Sequence, residues 1–231
     1  MRLHGLPLLV STWLTGCVDG RLSALDPAGP TAHSIARGWD VMAWSATAIL
    51  VFMVVLTAYA VRRRPKHSDA VSARILLAGG GLFFPGAVLL LLLVYGFRAG
   101  DAQFPLADQH AVYRVQVRAH QWWWEVVHPD APGGPLHSAN IIHAPAGRPV
   151  HITVTADDVI HGFWIPRLGG KIDAIPGREN TIRLQADEPG IYHGICAEFC
   201  GDQHANMLVQ FIAYDEATLA ETLLRLGKAV P

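Results

Sequence analysis

Cysteine is scarce in this chain, at three in 231 residues. None of the three stands in a Cys-x-x-Cys-His run, so these residues attach no c-type haem. Charge is sparse as well: Asp, Glu, Lys and Arg make up 16% of the residues, with a formal net of −1. No basic patch gathers, which argues against nucleic acid as a partner. The small total hides an uneven split. From Arg98 onward there are 10 Lys and Arg against 15 Asp and Glu; before it there are 8 against 4. An acidic soluble portion steers a basic partner and raises its association rate, although a merely solvated surface has the same composition.

Apolar residues are abundant, at 51%. The length suits one ordinary domain plus membrane segments. Residues 1–16 hold one basic residue, Arg2, and an apolar stretch from Leu6 to Leu14, which reads as a secretory signal. Its end, Leu14-Thr15-Gly16-Cys17, resembles a bacterial lipoprotein cleavage box, with Cys17 as the lipidated first residue of the mature protein. The alternative is an uncleaved leader with an ordinary Cys17. Residues 17–38 are expected to form a polar linker outside the cytoplasm. Trp39 to Val61 then runs for 23 residues with Asp40 as its only charge, enough for a hydrocarbon core that needs about 20. Arg62, Arg63, Arg64, Lys66 and Arg74 against Asp69 place the next connection in the cytoplasm. Ile75 to Phe97 carries no charge and forms the second span; its Gly79-Gly80-Gly81 and Pro85 are tolerated where a membrane helix packs on a partner. Residues 39–97 are thus expected to form a transmembrane helical hairpin, with both ends of the chain outside.

From about Asp108 the period changes to two. Val115 and Val117 alternate with Arg114, Gln116 and Arg118, and Val150 to Thr155 alternates again. Turn clusters such as Pro132-Gly133-Gly134-Pro135 and Glu188-Pro189-Gly190 punctuate these runs. Many short strands with Gly/Pro turns predict an all-β sandwich or barrel over 98–231. Asp215 to Leu226 has helical spacing.

The chemistry concentrates in Cys196-Ala-Glu-Phe-Cys-Gly-Asp-Gln-His-Ala-Asn-Met207. Two cysteines stand four apart, a histidine four further on, and a methionine three beyond that. Thiolate, imidazole and thioether together are the donors that copper prefers; hard cations take oxygen, and closed zinc sites do not recruit a thioether. One Cys, one His and Met207 would suffice for a single electron-transfer copper, which leaves the second cysteine over. Two thiolates on one loop can bridge two coppers, given a second histidine, and His161 is the best candidate. Two other readings stand beside this one. The cysteines could form a small-loop disulfide, or they could be the paired thiols of a thioredoxin-like copper chaperone, although Gly201 stands where such a pair is usually followed by Pro.

Four ordered segments resemble subunit II of the haem–copper cytochrome c oxidases: His120 to Trp124 (His-Gln-Trp-Trp-Trp, where the family has His-Gln-Trp-Tyr-Trp), Asp158 to His161, Gly170 to Arg178, and Cys196 to Met207. The resemblance implies a membrane-anchored α plus all-β chain, in which a two-helix transmembrane hairpin precedes a cupredoxin-like sandwich holding a dinuclear copper centre, CuA. It implies bridging thiolates from Cys196 and Cys200, terminal imidazoles from His161 and His204, and weak ligands from Met207 and the Glu198 carbonyl. The Glu198 carboxylate would share a magnesium ion with subunit I, and Asp173 would either support the same region or be a simple turn acid. Trp122 would be the electron entry from cytochrome c, with Asp158 and Glu125 as acidic docking contacts. His120, His143, His151 and His193 carry no such warrant for copper. The implied partners are subunit I, subunit III, cytochrome c and the bacterial inner membrane, with the copper domain on the periplasmic side. One departure stands out: family members often carry a glutamate early in the second helix, and no carboxylate lies between Arg74 and Pro85. The rival readings are a quinol oxidase subunit II (a version with the copper ligands lost), a copper-bearing nitric oxide reductase subunit and a tethered copper-delivery protein. Nitrous oxide reductase has a similar copper loop, but the two spans count against it.

Overall fold

The computed structural model describes residues 20–63, 70–100 and 112–229. The expected signal sequence (residues 1–16), Cys17 and the connecting residues Arg64, Lys66 and Asp69 lie outside the described residues. The described chain falls into two compact units, one joining residues 20–32 to 112–229 and the other comprising 33–63 with 70–100.

Helix α1 (Pro30–Arg63) reaches back beyond the apolar window that begins at Trp39. Pro30 explains where it starts, because a first helical residue needs no N–H donor and proline presets its φ. The second apolar stretch is helical from end to end but not uniformly wound. It comprises α2 (Ala70–Ile75), a π-helical segment (Leu76–Phe83) and α3 (Phe84–Gly100). The wide winding falls on Gly79-Gly80-Gly81 and ends just before Pro85, which cannot donate to the ladder; the Phe84 N–H instead reaches the Gly79 carbonyl, five residues back. The apolar side chains are exposed on all faces, Trp44 and Phe83 by three quarters or more. A helix apolar all round is at rest only in an apolar medium. Both helices are long and apolar enough to cross a membrane. The Thr47 and Thr57 hydroxyls donate to the Ala43 and Met53 carbonyls at 2.8 and 2.7 Å, so neither needs water.

The other unit is a sandwich of two five-stranded sheets. Its strands are β1 (Tyr113–His120), β2 (Trp123–His128), β3 (Leu136–Ala139), β4 (Ile141–Pro145), β5 (Val150–Ala156), β6 (His161–Trp164), β7 (Ile172–Ala174), β8 (Asn180–Leu184), β9 (Gly190–Cys196) and β10 (Leu208–Tyr214). One sheet runs β3-β2-β1-β5-β8, the other β4-β10-β9-β6-β7. The pairs β1–β5 and β4–β10 are parallel and the rest antiparallel. The alternation expected in β1 and β5 is present: Val115, Val117, Val150, Ile152 and Val154 point into the core, while Arg114, Gln116 and Arg118 face out. Trp124 and Phe163 meet edge to face across the two sheets, 5.5 Å apart and fully buried. Helix α4 (Glu216–Ala229) follows β10; the Asp215 carboxylate accepts from the Thr218 N–H and hydroxyl, which fixes its start.

Residues 26–31 lie along this sandwich as a strap. Asp26 pairs with Arg167 at 2.8 Å, the Ala28 N–H donates to the Arg167 carbonyl, and the Asp187 N–H returns to the Ala28 carbonyl. Gly29 packs on the Gln185 carbonyl, leaving no room for a Cβ.

Away from the candidate site, His128 and His143 form a buried pair with ring centroids 5.8 Å apart. Tyr113 and Tyr214 hydroxyls stand against their Nδ1 atoms. Burial, and then the neighbouring His143, push the His128 pKa down to about 4, and burial lowers that of His143 too. An imidazole held neutral in the fold but titrating at about 6.5 when unfolded gives stability that is complete above pH 6.5 and lost as pH falls toward 4. Acid titration of the thermal midpoint is therefore expected to reveal a loss of about 3 kcal/mol from His128 over that window. His128→Gln should flatten the slope; an unchanged slope would assign it to other groups.

Candidate metal centre

The four donors of the loop and His161 converge at one end of the sandwich. Cys196 is the last residue of β9, and the loop that follows is drawn back into the fold at both ends. The Cys196 N–H donates to the Met207 carbonyl at 2.9 Å, and the Ala197 N–H to the Gly162 carbonyl at 2.7 Å. The first bond closes the loop on itself; the second ties it to β6, whose first residue is His161. A short 3-10 turn (His204–Asn206) then points His204 back at the cysteines.

The separations are short and all of one kind. Cys196 Sγ and Cys200 Sγ are 3.7 Å apart. His161 Nδ1 stands 3.9 Å from Cys196 Sγ, and His204 Nδ1 3.7 Å from Cys200 Sγ. Met207 Sδ is 3.9 Å from Cys200 Sγ, and the Glu198 carbonyl accepts from Cys196 at 3.2 Å. Both cysteines are free thiols, well beyond the roughly 2.05 Å of a disulfide. His161, Cys196, Cys200 and Met207 are buried, whereas His204 is half-buried. Burial pushes the Cys200 thiol up to about 12, helped by its hydrogen bond and electrostatic interaction with Cys196. A metal entering here must displace protons from the thiols. Two thiols, two imidazoles and a thioether, all aimed into one small volume, fit a soft or borderline metal and offer nothing a hard cation prefers.

His161 is oriented from behind. Its Nε2–H donates to Asp158 Oδ1 at 2.8 Å, which leaves the Nδ1 lone pair facing Cys196. The same carboxylate accepts the Val159 N–H at 2.6 Å and, through Oδ2, the Gln121 N–H at 2.7 Å. Burial alone would raise the Asp158 pKa, but these three hydrogen bonds outweigh it and hold the carboxyl below its ordinary value. Asp158 is therefore engaged inside the site. Glu125 is likewise occupied, at 3.5 Å from His120 and 3.3 Å from His137. Asp158→Ala leaves His161 free to rotate or change tautomer, so metal affinity is expected to fall about 10–100-fold in a chelator competition. Unchanged affinity would remove Asp158 from that role.

Trp122 lies in the turn before β2, half-buried, and its indole N–H donates to the Cys200 carbonyl at 3.3 Å. Trp124 is fully buried, with its ring 6.0 Å from that of His161, and Trp123 is exposed. The exposed Glu198 carboxylate reaches Lys171 at 3.3 Å, and Lys171 also meets Asp173 at 3.2 Å. Three residues not assigned to the site from the sequence, Gly201 among them, also shape it. Gln121 donates through Nε2 to the Cys200 carbonyl at 2.7 Å. Gly162 lets β6 and the loop touch, and Gly201 adopts φ +122° beneath the Trp122 ring. In the sequence, only the two glycines' places beside ligand residues hinted at this.

An all-β sandwich with two thiols, two imidazoles and a thioether at one end defines a cupredoxin-like domain suited to copper. The α/β architecture of a thioredoxin-like chaperone is absent from the described residues. Residues 129–213 match the family model described as cytochrome c oxidase subunit II, periplasmic domain. Cytochrome c oxidase subunit 2 of Alkalihalophilus pseudofirmus is 34% identical over 224 residues, 91% of this chain and 64% of that protein. Quinol oxidase subunit 2 of Bacillus cereus is 28% identical over 217 residues, 87% of this chain and 72% of that protein. The crystal structure of the periplasmic domain of subunit II of cytochrome oxidase of Bradyrhizobium japonicum superposes with a TM-score of 0.50 at 29% identity, covering 55% of this chain and 99% of that one. The chain is thus similar to cytochrome c oxidase subunit II, most directly over residues 129–213. It spans just under two thirds of the length of the Alkalihalophilus relative.

Proposed function

We propose that this chain is the electron-entry subunit of a respiratory cytochrome c oxidase. It takes electrons from cytochrome c at a dinuclear copper centre and passes them to haem in subunit I, where oxygen is reduced and protons are moved. The convergence of Cys196, Cys200, His161, His204, Met207 and the Glu198 carbonyl within 3.2–3.9 Å of a neighbouring donor carries this reading. Copper bound there supplies reversible one-electron chemistry. The chain's own residues do the rest. The two thiolates spread charge, and burial of the donors excludes water, so few dipoles reorganise when charge changes. Trp122 links the surface to the ligand loop through a single hydrogen bond to Cys200. The exposed Glu198 carboxylate would share a magnesium ion with subunit I, displacing Lys171.

The sandwich and the strap at residues 26–31 are in contact and so lie on one side of any membrane, which calls for an even number of crossings. Two spans with the basic connection in the cytoplasm give a periplasmic copper domain in a bacterial inner membrane, beside subunits I and III. The full donor set also favours cytochrome c over quinol as the electron source, although a quinol oxidase subunit is among the relatives.

The test is copper stoichiometry with an electron paramagnetic resonance spectrum of the detergent-solubilised chain. Two coppers sharing one unpaired electron equally are expected. One copper with a single-nucleus pattern would mean a mononuclear carrier or a delivery protein, and no copper with a Cys196–Cys200 disulfide would mean a structural subunit. Trp122→Phe should leave copper content intact while electron entry from cytochrome c collapses; unchanged entry would move that role elsewhere.

A further inference from the structure

Gln121 makes two hydrogen bonds of 2.7 Å to two different ligand-bearing segments. Its backbone N–H donates to Asp158, 37 residues away, and Asp158 holds the His161 ring. Its side-chain Nε2 donates to the carbonyl of Cys200, 79 residues away, the same carbonyl that receives the Trp122 indole. Gly201 sits beneath this pair: a Cβ there would come within 3.2 Å of both Gln121 Nε2 and the Trp122 ring. The amide thus occupies a slot kept open by a glycine at φ +122°, on the peptide next to a metal-ligating cysteine.

We propose that Gln121 is a positioning residue of the copper centre, resting on the electron-entry reading above. Its backbone fixes the His161 side and its side chain fixes the Cys200 side, so the distance between the two halves of the donor set depends on one residue outside it. Donation onto the Cys200 carbonyl also polarises that peptide and restrains the torsions that aim Sγ. The competing view is that an exposed glutamine happens to find an acceptor. In that case removing its amide would change nothing at the centre.

The experiment uses the full chain in detergent, loaded with copper. Gln121→Met keeps the stem and the backbone N–H but loses the side-chain donor. It is expected to bind two coppers with an unchanged thermal midpoint, to lose them to a chelator about tenfold faster, and to show a displaced visible spectrum and altered copper hyperfine splitting. Gln121→Lys, which restores a donor at similar reach, should recover the slow loss and the parental spectrum. A Gln121→Met protein with parental copper loss and spectrum overturns the proposal. So does faster loss accompanied by a lowered thermal midpoint and not rescued by lysine, because Gln121 would then only support the fold. Failure of the parent chain itself to bind two coppers would instead remove the electron-entry reading before any variant is compared.

Discussion

Cys200→Ser is expected to leave at most one copper on the chain and to stop the proposed electron transfer from cytochrome c. Cys200 is the hub of the donor set: Cys196 Sγ, His204 Nδ1 and Met207 Sδ all stand within 3.9 Å of its sulfur. A serine oxygen is harder and binds copper poorly. Losing a direct ligand should exceed the roughly 10–100-fold cost in affinity of losing an outer partner. Copper analysis and stopped-flow oxidation of cytochrome c read both effects. Two coppers retained with parental rates would show that the loop's thiolates are not the bridge. Burial holds the metal-free Cys200 thiol protonated, so loading of the parent chain is expected to slow as pH falls, one more readout of the same group.

Gly162→Ala should damage the centre without touching a donor. A Cβ at Gly162 would stand 2.8 Å from the Ala197 carbonyl carbon and from the Glu198 nitrogen, both backbone atoms that cannot swing aside. Strand β6 and the ligand loop must therefore part, and the bond from the Ala197 N–H to the Gly162 carbonyl goes with them. Overpacking of this kind costs about 1–3 kcal/mol. The displacement also runs along the seam between His161 and Cys196, so copper binding is expected to weaken together with stability. Gly190→Ala, whose nearest neighbours would be 3.7 Å away, is the control that should keep its copper. Equal behaviour of the two variants would sink the argument from close approach.

The donors on the loop were legible because their spacing is local. Residues four, four and three apart on one loop meet through backbone turns alone, so Cys196, Cys200, His204 and Met207 could be read together. The period-two runs likewise marked β1 and β5, since one face of each had to be buried. Contacts that depend on the fold were not legible. Asp158 is the exposed acid it resembled, but that its oxygens accept from His161, Val159 and Gln121 could not be read from the sequence. Gln121 was one letter in an aromatic motif until β1 and β2 carried it across to Cys200. The glycine triplet suggested close helix packing, and in the structure it lies in a change of helical winding.

The strap has a consequence for how the molecule is made. Because residues 26–31 belong to the same folded body as the strands that begin beyond both apolar helices, that body is interrupted in sequence by the helices. Its first piece leaves the ribosome early, and its partner Arg167 emerges some 140 residues later. Final closure must wait until the later strands have been made and can meet the strap. A soluble fragment beginning after the helices would carry every metal donor and still lack its own edge, with Leu168, Gly169 and Gln185 facing water where the strap belongs.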